Sequence, residues 1–236
     1  MDDKTPSIKQ SDSFFTVLGN TFGLIGTSWE ALLFNLPTFV KIYLLPLLIV
    51  TLSVPFLVIT ATTASHDKAN AAVLIIAALV AIGLAILTAL LSIASIITQL
   101  ASVQGKKISF SSAINKATPY FWRFIGLGIL STLIILAGTV VLVLPGLIAT
   151  ILLIFAGYIL IDKDVGVIEA IKQSVQLSKA NWKVPLSLFI VFIVIQFPTA
   201  IIPIPGVLIM TALSVAYFCL PAILYTRITK SHTSQR

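Results

Sequence analysis

The sequence predicts an all-α polytopic membrane protein: six transmembrane helices as three hairpins, with amphipathic interfacial helices on the cytoplasmic side. Three observations predict it. Of 236 residues, 58% are hydrophobic and only 10% charged, with a mean hydropathy of +1.09. A soluble domain covers its surface with about a quarter charged residues. The uncharged runs between charges are too long for single spans. The cations between those runs fall almost entirely on one side of the resulting map.

Taken in order, the chain opens with a polar tail, 1–12. A stripe of Phe14, Leu18, Phe22, Ile25, Trp29 and Leu32 then recurs near helical period, as an interfacial helix would. The first span starts near Ile42 and runs uncharged to Ser65. That start is too late for a secretory signal peptide. Pro46 and Pro55 predict kinks in it, as Pro198 and Pro221 do in the last two spans.

Ala69–Gly105 is uncharged and lacks proline, and its one interior glycine, Gly83, has no turn partners. It reads as one long helix. Ala77, Ala81, Ala85 and Ala89 repeat every fourth residue, a small-residue stripe suited to close helix packing. Phe124–Ile161 and Val184–Thr226 are each roughly twice the length needed to cross a hydrocarbon core about 30 Å thick. Pro145-Gly146 and Pro205-Gly206 stand near their middles and predict hairpin turns. The spans are then 124–144, 147–161, 185–202 and 207–226.

Charge tests this map. Of the 15 lysines and arginines, only Lys68 falls on the outer side. The positive-inside rule therefore puts both termini and both long loops in the cytoplasm of a cell inner membrane. The net charge of +7 fits anionic headgroups; nucleic acid is not expected as a partner.

A repeat supports the hairpins. Trp122-Arg123 precedes Pro145-Gly146 by the same spacing as Trp182-Lys183 precedes Pro205-Gly206. Tryptophan favours the headgroup level, and the adjacent cation can reach water. Each pair follows a polar segment containing Ala-Ile, Ala113-Ile114 and Ala170-Ile171. In the second segment Ile168, Ile171, Val175 and Trp182 form the apolar side. Glu169, Lys172, Gln173, Gln176 and Lys179 lie opposite, with Asp164 placed to cap the helix. The expected organisation is one membrane domain over 1–236. It has units at 13–105, 106–162 and 163–227 and flexible tails at 1–12 and 228–236.

Catalytic signatures are missing. The histidines are His66 and His232, one in an outer loop and one in the tail, and Cys219 is the sole cysteine, so no metal site or disulfide is expected. There is no P-loop, no Gly-x-Ser-x-Gly and no dinucleotide fingerprint. No ionisable residue lies within a span, against an ion-coupled pump, although Gln99 and Gln196 are polar there. No cofactor and no enzymatic activity are expected.

Leu144-Pro-Gly-Leu-Ile, Gly157-Tyr-Ile-Leu-Ile-Asp, Val167-Ile-Glu-Ala-Ile-Lys-Gln-Ser174 and Lys179-Ala-Asn-Trp182 together resemble the YciC-like integral membrane proteins. The stretch is also similar to the membrane domain found beside glycerophosphoryl diester phosphodiesterases. The resemblance is best over 120–190. It implies a prokaryotic six-helix inner-membrane protein and no phosphodiesterase activity, since no catalytic motif carries over.

The function expected is therefore non-catalytic: organising lipid, with anionic headgroups, or a membrane or cytoplasmic partner protein at the cytoplasmic interface. The candidate residues are Lys106, Lys107, Lys116, Arg123, Lys163, Lys172, Lys179, Lys183, Trp122 and Trp182. The alternative is a transporter or channel for a neutral or lipid-like substrate, using the kinked spans and Gln196.

Overall fold

The computed structural model describes residues 12–44, 71–196, 217 and 219–233, and among them all regular structure is helical. Helix α1 is Phe14–Phe34, α2 covers 36–44, and α3 is Ala71–Val103. Helix α4 is Phe110–Ala117, followed by a 3₁₀ turn, Thr118–Tyr120, and α5, Phe121–Val141. Then come α6 (Val143–Leu153), α7 (Ala156–Asp162), α8 (Val167–Ala180), α9 (Lys183–Gln196) and α10 (Leu220–Thr233). Three stretches are long and apolar enough to cross a membrane: Ala78–Val103, Phe110–Val140 and Val143–Asp162. A fourth is possible by length if α8 and α9, bent by 92° at their junction, are one broken span.

Proline sets the helix starts. Pro37, Pro119, Pro145, Pro185 and Pro221, the five prolines among the described residues, each stand in the first turn of a helix. A first-turn N–H has no partner within the helix, so proline loses nothing there. Its ring excludes the helical continuation behind it. This moves the first predicted turn. The chain reverses at Leu142, in extended conformation (φ −163°, ψ 149°), and Pro145 and Gly146 lie inside α6 instead. Pro221 likewise opens α10 just after a turn at Cys219, and α10 continues to Thr233. The Pro205-Gly206 turn, Pro46, Pro55, Pro198, the 185–202/207–226 turn region and the His66–Lys68 loop lie outside the described residues.

The reversal at Leu142 is tight because glycine lines it. A Cβ on Gly138 would meet the backbone of Gly146 at 2.9–3.0 Å. One on Gly146 would stand 2.1 Å from Thr139 Oγ1 and 3.0 Å from the Thr139 nitrogen. Helices in an apolar medium gain by such close backbone approach. The returning chain then breaks between α6 and α7. The Leu152 carbonyl at that break accepts bonds from Ser174 Oγ at 2.8 Å and Ser178 Oγ at 3.1 Å. α7 closes against α3 and α5, with Gly157 beside Ile96 and Phe124.

Helix α3 is unbroken, as its sequence predicts. Its alanine stripe does not pack where expected: Ala81 and Ala85 are exposed, and burial starts at Leu91. The core sits along the second half of α3 and includes Ile93, Ala94, Phe155, Ile159, Leu160, Leu188, Ile223 and Leu224. Exposed Ile75, Leu79 and Ile82 of α3, Ile129, Leu133 and Val140 of α5, and Val143 and Leu144 of α6 form an uncharged apolar exterior.

α1 and α8 each pack inward on a side other than most of the stripe read as interfacial. α1 buries Val17, Thr21, Leu24, Ser28, Ala31 and Leu32, while Phe22 and Trp29 of the predicted stripe are exposed. α8 buries Ala170, Ser174 and Ser178, and Ile168 of its predicted apolar side is 62% exposed. Small hydroxyl residues can go inside because they bond locally. Thr21 and Ser28 donate to the carbonyls of Val17 and Leu24, and Thr21 pairs with Ser187 of α9 at 2.9 Å. Large apolar side chains lose nothing by facing outward if the surroundings are lipid.

Candidate functional site

Charged side chains gather where α3 ends, α5 and α9 begin, and α7 gives way to α8. The clamp that builds this end starts at Asn35, in the break that Pro37 imposes between α1 and α2. Asn35 Nδ2 donates to Ser102 Oγ at 2.8 Å and to the Lys106 carbonyl at 3.1 Å. Its Oδ1 accepts from the Ile108 N–H at 3.0 Å. Thr38 Oγ1 donates to the Ile108 carbonyl at 2.7 Å. One buried amide thus fixes the turn that displays Lys106 and Lys107. Gly105, at φ +70°, makes that turn possible. Lys106 and Lys107 are exposed, and the Lys107 ammonium stands 5.7 Å above the Phe34 ring.

Helix α4 follows, started by Ser109, whose side chain accepts from the Ser112 N–H. Its last turn carries exposed Lys116, favourably placed against the negative end of the helix. On the first turn of α5, Trp122 is 79% exposed and meets Phe121 edge to face. Arg123 donates to Asp164 at 2.7 Å. This corrects the expected cap: Gly166 takes the N-cap position of α8 and receives no side-chain bond, while Asp164, at φ 49°, turns its carboxylate to Arg123. Asn115, Lys116, Tyr120, Arg123 and Asp164, with Ile97, Pro119 and Ile161, line a cleft of about 570 Å³.

Beyond the cleft, Lys163 donates to Gln173, which donates to Glu169, both at 2.8 Å. Lys172 and Lys179 are exposed on α8. Lys183 reaches back to the Asp12 carbonyl, and Trp182, 54% exposed, stacks on Phe14 at 6.2 Å and 3°. The predicted site residues therefore divide. Lys116 and Arg123 share one cleft. Lys106, Lys107, Lys172 and Lys179 face outward. Lys163 and Lys183 are engaged with neighbours.

A second polar chain runs through the interior. Tyr158 Oη donates to Gln99 Oε1 at 2.7 Å, Gln99 Nε2 donates to Ser95 Oγ at 3.0 Å, and Ser95 bonds Tyr43. Tyr225 stacks on Tyr158 at 5.9 Å and donates to Asp162 at 2.9 Å. No buried side-chain nitrogen or oxygen among the described residues lacks a partner. Among the same residues no group of three His, Cys, Asp or Glu could hold a metal ion. Sequence reasoning missed Asn35, Ser174 and Ser178. The signals were present: a proline two residues after Asn35, and Ala170, Ser174 and Ser178 at four-residue spacing.

No curated protein and no solved structure matches this chain. A family model, described as an uncharacterised protein family, matches residues 56–187, which include α3, the cleft and the serine pair of α8. That match covers more than half of the sequence and supports an uncharacterised family, not the YciC-like or phosphodiesterase-associated naming. With several helices apolar enough to span a membrane, and a charged end built by α3 to α9, the chain belongs to the uncharacterised protein family UPF0259.

Proposed function

We propose that this is a non-catalytic, multi-pass inner-membrane protein that organises lipid or a partner protein at the cytoplasmic interface. It would have six spans in three hairpins and both termini inside. One observation carries the reading. Exposed Lys106, Lys107, Lys116, Lys172 and Lys179 and exposed Trp122 and Trp182 all lie on or beside the turn after α3, α4, the start of α5 and α8, at the boundary of helices whose exterior is uncharged and apolar. Cations and tryptophans at that boundary suit anionic headgroups, and each basic residue near such a surface contributes about 1 kcal/mol. The return of the chain from Arg123 to Asp164 supports one hairpin. The equal spacing of Trp122-Arg123 to Pro145-Gly146 and of Trp182-Lys183 to Pro205-Gly206 supports a second.

The test is lipid retention. Lys107→Gln/Lys172→Gln/Lys179→Gln should carry several-fold less anionic phospholipid after mild purification than wild type. Unchanged retention overturns the reading. Lys183 is left intact because it holds Asp12. Reporter fusions after Lys107 and Lys172 should both report the inside, and one at Asp67 the outside.

The transporter alternative has one observation in its favour, the interior chain of Tyr43, Ser95, Gln99 and Tyr158. Its members bond to one another, which suits packing better than a substrate path. Uptake of a neutral probe by reconstituted vesicles would reverse that preference.

A further inference from the structure

The cleft beside Arg123 holds both signs of charge. Lys116 and Arg123 supply two cations and Asp164 one carboxylate, over a floor of Ile97 and Ile161, each 9% exposed. A purely anion-binding cleft gains nothing from Asp164. A ligand carrying one anionic and one cationic group uses all three. Arg123 has five N–H donors and gives one of them to Asp164 through Nη1, so its remaining edge can serve an anion together with Lys116. The pair is open to solvent, with Arg123 49% and Asp164 68% exposed, so a ligand reaches it without unfolding anything.

The surroundings say where such a ligand comes from. Trp122, next in sequence to Arg123, is exposed. Ile129, Leu133, Leu136 and Val140 continue that exposed face down α5. A headgroup in the cleft would have its acyl chains beside an apolar wall, at the level tryptophan prefers. A freely diffusing phosphate ester would need no such wall.

We propose that this cleft binds the zwitterionic headgroup of an aminophospholipid, with the phosphodiester against Lys116 and Arg123 and a primary ammonium against Asp164. The proposal rests on the lipid-interface reading and names its ligand. Phosphatidylethanolamine has the ammonium N–H donors that Asp164 can accept. Phosphatidylcholine has the same phosphate and a quaternary ammonium with no N–H. Hydrogen bonds between charged groups of this kind correspond to about tenfold in affinity.

The experiment uses the full chain, delipidated in detergent, with binding measured by native mass spectrometry. The probes are phosphatidylethanolamine, phosphatidylcholine, phosphatidylglycerol and soluble phosphoethanolamine. Wild type should prefer phosphatidylethanolamine to phosphatidylcholine by about tenfold. Asp164→Asn should erase that preference and leave phosphatidylglycerol bound. Lys116→Gln, an exposed change that leaves the ion pair in place, should weaken all three lipids. Equal binding of the two zwitterionic lipids by wild type, or an undiminished preference in Asp164→Asn, overturns the proposal. Displacement of lipid by equimolar soluble phosphoethanolamine overturns the lipid as its source. The Lys107/Lys172/Lys179 variant separates the two readings. If it loses phosphatidylglycerol while wild type shows no headgroup preference, the cleft falls and the interface role stands. If it keeps phosphatidylglycerol and the preference persists, the interface role falls and the cleft stands.

Discussion

At Leu142 the chain turns through one extended residue and closes by removing side chains; at Leu152 it breaks and closes by adding hydroxyls. Gly138 and Gly146 let α5 and α6 touch backbone to backbone. Ser174 and Ser178 both reach the Leu152 carbonyl in the last turn of α6, beside the α6–α7 break. The first junction adjoins the exposed apolar residues Val140, Leu142 and Val143, and the hydroxyls beside it, Thr139 and Thr150, donate to carbonyls of their own helices. The second faces α8, whose inner stripe is small and hydroxylated. In lipid every interrupted backbone must be satisfied within the protein. Which device is used depends on what the neighbouring helix can offer.

The largest effect expected from breaking this contrast is at Gly146. Gly146→Leu should cost about 3 kcal/mol or more and abolish monodisperse protein on size exclusion. Gly146→Ala should cost about 1–3 kcal/mol in denaturant titration. Thr139→Ala should recover only part of that loss, because the added Cβ also meets backbone atoms of Thr139 and Ile135 at 3.0–3.1 Å. Full recovery would show the contact to be a side-chain clash alone.

Asn35 tests the second device at its strongest. Asn35→Leu keeps the γ-branched shape and removes three hydrogen bonds, leaving the Ile108 N–H and the Lys106 carbonyl without this partner. About 2–3 kcal/mol should be lost, and exchange of the Ile108 amide should accelerate. An unchanged exchange rate would mean that another group holds the turn.

At the Leu152 carbonyl the expected losses are smaller and coupled. Ser174→Ala and Ser178→Ala should each cost about 0.5 kcal/mol, and the double change more than their sum, since only then does the carbonyl lose both hydroxyls. Strict additivity would mean the two bonds act independently. The smallest effect is at the exposed ion pair: Arg123→Gln should cost under about 1 kcal/mol, and less in high salt.

The uninterrupted α3 was readable because a run with no proline and one isolated glycine gives a helix no reason to stop. The reversal of α5 into α6 was readable to within three residues. The offset has a cause: proline marks the first turn after a break, so the break precedes it. The apolar stripes of α1 and α8, read as interfacial, are largely exposed: Phe22 and Trp29 on one, Ile168 on the other. What the sequence did not show is the side that packs inward, which carries Thr21, Ser28, Ser174 and Ser178, residues that a search for large apolar side chains passes over. Asp164 was assigned to the helix it precedes, because a sequence shows the cap four residues from Ile168 and hides the guanidinium that the returning chain brings alongside. The cation positions survive as exposed groups for Lys106, Lys107, Lys116, Lys172 and Lys179. No linear pattern shows that Lys183 turns toward Asp12.

The interior chain of Tyr43, Ser95, Gln99 and Tyr158 has one more consequence. Apolar helices sliding past one another in oil exchange like for like, so hydrophobicity alone sets no preferred alignment, and packing and directional bonds must set it. A directional amide does. Moving α3 along its axis by one residue would swing Gln99 through about 100° and strand both ends of its side chain among hydrocarbon. The glutamine therefore acts as an indexing pin. It admits one alignment of α2, α3 and α7 out of the many that hydrophobicity would tolerate equally.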